Sequence, residues 1–263
     1  MTQTGQFIAK KLLADGADRA FSIARVNQLH DIFQILVYEG PIGVNPLIFD
    51  LDRAETRTQL LEKDKFVAEA THVLVNPNLR RAVVEYVRRG AKADDICQVI
   101  TEVLKRHNFE LSDFEISFSP VVSEKFVKLI QQFLRIRAAE ITVTRPNSGW
   151  TDHYTALSDL IESSDGDKAD LGVRAARGRS LKKSTGVVKL ISDVASEPHP
   201  YLRRASITGV RQGEEAETTL STAKHITHSV ARVSQDMNGR VSQQQILHHM
   251  DALLRSKGDQ AAD

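Results

Sequence analysis

The chain predicts an α+β protein: a mixed, mostly antiparallel sheet with helices packed on it and a helical C-terminus. Three observations predict it. Apolar residues recur at three- and four-residue spacing in several separate segments, runs of β-branched and aromatic residues lie between them, and turn-forming clusters divide the two. The 263 residues are 41% apolar and 26% charged, a globular composition that excludes collagen-like and wholly disordered states. No window approaches about 18 uninterrupted apolar residues, so no membrane insertion is expected. The single Cys97 rules out a disulfide framework and fits a reducing, cytoplasmic setting.

Taken in order, residues 4–13 predict an amphipathic helix ending near Gly16, without the continuous apolar region of a signal peptide. Residues 21–26 predict a short strand. Between Gln28 and Tyr38 the spacing of Leu29, Ile32, Phe33, Leu36 and Val37 predicts a helix. Pro41 and Pro46 bracket a loop before the apolar run Leu47-Ile48-Phe49. Residues 66–75 and 83–87 read as the strands of a hairpin, with Asn76-Pro77-Asn78 as its turn. A helix capped by Asp94 or Asp95 follows, its apolar face formed by Ile96, Val99, Ile100, Val103 and Leu104.

Residues 114–118 alternate strictly and predict a strand. Ser123 caps the next helix, and residues 139–143 predict a strand stopped by Arg145-Pro146-Asn147. Helices are expected at 152–163, 187–195 and 241–254, strands at 171–173 and 205–210, and a helical pattern from Thr219. The expected division is an N-terminal α/β region, 1–148, and a C-terminal basic α+β region, 149–263.

The net charge of +1 hides an uneven distribution. Between Val173 and Arg211, nine basic residues face only Asp193 and Glu197, a local excess of +7. Acidic flanks compensate: Glu162, Asp165, Asp167 and Asp170 before, and Glu214, Glu215 and Glu217 after. Arg174, Arg177, Arg179, Lys182 and Lys183 stand among Ser, Thr and Gly, with Arg203, Arg204 and Arg211 further along. Guanidinium forks, hydroxyls and close backbone approach are what contact with phosphate needs. Tyr201 is the one aromatic residue in the segment, which supplies little stacking and favours a duplex backbone over single strands. A second basic group comprises Arg80, Arg81, Arg88, Arg89 and Lys92.

Catalytic signatures are sparse. Leu47-Ile48-Phe49-Asp50-Leu51-Asp52 resembles the first motif of haloacid-dehalogenase-like phosphatases, an apolar strand ending in Asp-x-Asp. That resemblance implies a nucleophilic Asp50, an acid/base Asp52 and a magnesium ion. Arg53 and Ala54 depart from the family pattern, and no second acidic strand end follows. Asp113, Glu115 and Glu140 lack the lysine register of a metal nuclease. His225 with His228, and the adjacent His248 and His249, lack further ligands. Gly178 to Gly186 has the composition but not the order of a phosphate-binding loop. No catalytic residue, metal site or cofactor is therefore expected.

From about Phe66 onward the element order resembles an uncharacterised bacterial domain family found in phage-defence loci. The pieces that carry it are the hairpin over 72–87, the strand over 114–120, the strand closing in Arg145-Pro146-Asn147, and Leu220-Ser221-Thr222-Ala223-Lys224-His225. More loosely, the order resembles the RexA/KwaB-type DNA-binding exclusion and defence proteins. The resemblance implies duplex DNA as partner and a role in phage defence or exclusion. A divergent nuclease or phosphohydrolase using Asp50 and Asp52, or a non-catalytic interaction subunit, are the alternatives. The apolar stripe Val241, Ile246, Leu247, Met250 and Leu254, close to a chain end, predicts a homodimer or partner complex through the last helix.

Overall fold

The computed structural model describes residues 7–12, 18–62, 65–107, 116–144, 161, 163–166, 168–196, 202–235, 237 and 241–256. These residues form an α+β fold that divides into two compact units, one drawn from 1–118 together with 231–255, the other from 119–230.

The first unit is built on β1 (Phe7–Leu12), β2 (Asp18–Leu29), β3 (Ile32–Pro41), β6 (Glu69–Asn76) and β7 (Arg81–Val84), antiparallel throughout in the order β1-β2-β3-β6-β7. Between β3 and β6, β4 (Leu47–Asp50) and β5 (Glu55–Thr58) form a separate two-stranded hairpin. Helix α1 (Ala93–His107) lays Ile96 and Val99 against Phe21, Ile23, Val37 and Val73 on one face of the larger sheet. Across that face Arg19 on β2 pairs with the buried Glu39 of β3 and reaches Asp95 of α1 at 3.7 Å. The other face carries Ile32 and Leu74, buried together with Ile246, Met250 and Leu254 of the last helix, Gln243–Arg255. Three of the five stripe residues, Ile246, Met250 and Leu254, are thus spent within their own unit, while Leu247 is partly buried and Val241 remains exposed, which leaves little of the stripe for the dimer contact expected from it.

Two expected helices in this unit are strands. Residues 28–38 span the β2–β3 hairpin, where Leu29 pairs with Ile32 and His30 takes the left-handed conformation (φ 54°). Because the sheet is covered on both faces, β3 buries Ile32 and Leu36 on one side and Val37 on the other, so period-two alternation is lost. Residues 7–12 pair with β2 from Phe7↔Ile23 to Leu12↔Asp18, and that ladder overrides the local helical spacing. The hairpin and helix α1 lie in the expected places with shifted bounds: β7 runs over Arg81–Val84 instead of 83–87, and Asp94 and Asp95 fall in the first turn of α1 instead of at its cap. Of the strand expected over 114–118, Ile116 to Phe118 form none; the Ile116 amide donates to the Thr101 hydroxyl at 2.9 Å.

The second unit contains helix α2 (Glu124–Gln131), β8 (Phe133–Thr144), β9 (Lys168–Arg174), α3 (Gly186–Ser196), β10 (Leu202–Arg211) and β11 (Glu217–Ser221). The remaining helix, Gln243–Arg255, is α4. The sheet order is β11-β10-β8-β9, again antiparallel, with α2 and α3 covering one face. Phe126, Ile130, Ile136, Ile141, Ile191 and Ile207 are buried in that core. Central β8 pairs with β9 and β10, so this sheet straddles the division expected at 148/149, and contacts instead separate the units at 118/119 and 230/231. The helix expected from Thr219 is β11, followed by a single 3-10 turn over Thr222–Lys224. Arg145-Pro146-Asn147 and most of the helix expected at 152–163 lie outside the described residues.

Candidate nucleic-acid interface

Arg174 is the last residue of β9 and pairs with Ala138 of β8. Beyond it the chain leaves the regular ladder yet follows the same edge of β8. The Ala175 amide donates to the Arg137 carbonyl at 2.8 Å, and the Leu181 amide to the Ile136 carbonyl at 2.9 Å. In return the Ile136 amide donates to Ser180 Oγ at 2.9 Å. Within the loop the Arg179 amide closes a turn on the Ala176 carbonyl at 2.9 Å, beside Gly178 at φ 79°. That left-handed conformation carries no steric penalty without a Cβ.

Residues 175–185 are therefore held at several points along a strand edge and contain no acidic side chain. Arg174, Arg177, Arg179 and Lys182 are all exposed. Lys183 plays a different part: its ammonium donates to the Gln131 carbonyl at 2.6 Å, at the end of α2. A cation there satisfies a terminal carbonyl and the helix dipole together, so Lys183 anchors the loop.

Sequence inspection missed Arg135, whose Nε donates to the Arg179 carbonyl at 3.4 Å and adds a further cation beside the loop. Its neighbour Arg137 lies 3.4 Å from Glu217. The basic alternation Leu134-Arg135-Ile136-Arg137 was the available signal, because alternate charged residues mark the wet face or edge of a strand.

The other basic residues of the segment do not join this group. Arg204 on β10 is exposed opposite Thr142 of β8, four residues along from the Arg174–Ala138 pair. With about 3.4 Å per residue and 4.8 Å per strand, that puts the two backbones about 17 Å apart. Arg203 precedes Arg204 at the same end, half-buried. Arg211 packs its guanidinium over the Phe133 ring at 5.3 Å, lies 3.9 Å from Glu214, and buries an Nε without a hydrogen-bond partner. It closes the edge of the core. Lys189 pairs with Asp193 at 2.5 Å. In the first unit, Lys92 is bound to the Val87 carbonyl at 2.6 Å and lies over Tyr86 at 4.8 Å.

Asp50 and Asp52 sit at the tip of the β4–β5 hairpin, not at the end of a parallel strand. The Asp50 carboxylate accepts the amides of Asp52 at 3.1 Å and Arg53 at 3.2 Å, which closes the turn. Among the described residues no group of three or more His, Cys, Asp or Glu side chains is placed to hold a metal ion. His225 lies against Phe126, ring centroids 5.9 Å apart. Burial first, then the nearby charges of Arg211, Lys125 and Lys224, hold its pKa below the ordinary 6.5. Cys97 is buried in α1.

Comparison with known protein families, with curated proteins and with solved structures finds no match.

Proposed function

We propose that this chain binds duplex DNA through its phosphate backbone, with little sequence preference, using the loop over 175–185. The observation that carries the proposal is the restrained, acid-free loop presenting Arg174, Arg177, Arg179 and Lys182 together, with Arg135 behind it. Holding the loop before binding lowers the ordering entropy that a flexible basic segment would lose. Arg203 and Arg204 form a second, smaller contact. A role in phage defence or exclusion belongs to the same proposal and rests on the family resemblance.

The test is binding to an arbitrary duplex across a salt series. Neutralising about four phosphates gives a slope of log K against log salt of roughly −4. Replacing Arg177, Arg179 and Lys182 by Ala flattens it by about 3 units and weakens every sequence alike. Arg88→Ala with Arg89→Ala, on the smaller basic group, leaves the slope nearly unchanged. Salt-insensitive binding, or binding indifferent to the triple change, overturns the proposal. Duplex cleaved in the presence of magnesium would point instead to the enzyme alternative.

A further inference from the structure

Outside both cores the β4–β5 hairpin stands with every residue of β5 exposed and no further strand beside it among the described residues. Leu47 is 72% exposed and Phe49 56%. A two-stranded hairpin is marginal alone, and its unpaired edge is a template for another strand.

The direction of that edge follows from one bond. The Gln59 amide donates to the Pro46 carbonyl at 2.9 Å, making Pro46 opposite Gln59 a hydrogen-bonded position. Because such positions alternate, Ile48↔Arg57 and Asp50↔Glu55 are hydrogen-bonded too. The backbone groups of Glu55 and Arg57 therefore face β4, and those of Thr56 and Thr58 face outward.

We propose that β5 of one chain pairs antiparallel with β5 of a second copy about a two-fold axis at Thr56. In that register Thr56 exchanges both backbone hydrogen bonds with its mate. Glu55 falls opposite Arg57 twice, at the non-hydrogen-bonded positions where opposed side chains come closest. Other centres lose this complementarity: an axis at Glu55 or Arg57 sets like charges face to face, and one between Thr56 and Arg57 puts Glu55 against Thr58. Leu47 and Phe49 share a face with Thr58 and Thr56. An axis normal to the sheet keeps that face common to both copies, so the two exposed apolar pairs lie on one face of a four-stranded sheet, on its outer strands with the threonines of β5 between them. The proposal is independent of DNA binding.

Sedimentation of the full chain over a concentration series tests it, with the expectation of a reversible monomer–dimer equilibrium. Arg57→Glu raises the dissociation constant at least ten-fold, and combining it with Glu55→Arg restores the dimer. Thr56→Cys oxidises to a covalent dimer, because hydrogen-bonded mates lie about 5.5 Å apart at Cα, within disulfide reach. Thr58→Cys, facing Ala54 of the mate, does not. The substituted side chains are exposed and Cys97 is buried, so folding and background oxidation stay constant. A wild-type chain monomeric at every concentration, or a dimer indifferent to Arg57→Glu, overturns the proposal.

Discussion

At the scale of single residues, proton binding is where this structure makes its clearest demand. His225 has a pKa below 6.5 when folded, mainly through burial and then through the charge of Arg211. Just below pH 6.5 the unfolded chain therefore binds more protons than the folded one, and stability rises with pH through that window. Its contribution is fully present above the unfolded pKa and is lost as the pH falls toward the folded one. Urea unfolding between pH 7.5 and 5 should show declining stability, and His225→Gln should flatten the decline. Asp31 acts further down the scale. Its hydrogen bond from Asn76 Nδ2, at 2.6 Å, holds the carboxyl below its ordinary 3.8, so stability is lost only as the pH falls below that value.

At the scale of elements, the basic loop owes its shape to backbone bonds that no charge count reveals. Ser180 supplies the acceptor for the Ile136 amide. Ser180→Ala removes that tether and leaves every cation in place. DNA affinity should drop by a few-fold, about 0.5–1.5 kcal/mol, while the salt slope stays unchanged. Fluorescence anisotropy across the same salt series separates the two quantities. Elements with one wet face were legible from sequence: α1, α2, α3 and the centres of β8, β9 and β10 all fall where their periodicity put them, whereas β6, buried on both faces, was marked by the Asn76-Pro77-Asn78 turn that follows it. Elements whose pattern was blurred were not. β3 is buried on both sides, and its tight turn is made by His30 and Asp31 with no glycine to mark it. β11 is a short edge strand of Thr and Ser with Leu220 as its one inward aliphatic residue, too little for a period to emerge. For the site, clustered charge located the loop, but only the fold separated Arg177 and Lys182, which face solvent, from Lys183 and Arg211, which support the structure.

At the scale of the whole molecule, the body of the second unit is the stretch 119–230, to which the residues from Ser256 onward are joined, whereas the first is assembled from 1–118 and 231–255 on either side of it. Every buried member of the second unit's core lies between Phe126 and Leu220. A fragment spanning 119–230 should therefore unfold cooperatively on its own and keep the salt slope of the full chain, as judged by circular dichroism and duplex titration. A fragment of 1–118 should not, because Ile32 and Leu74 then lack Ile246, Met250 and Leu254. The same discontinuity sets an order of events during synthesis. On the ribosome the stretch 119–230 emerges ahead of α4, which leaves the exit tunnel last. The first sheet must wait with one apolar face uncovered until the final segment appears. A nascent chain stalled in that interval is the form most exposed to chaperones and to aggregation, and a premature stop before Gln243 would leave it there permanently.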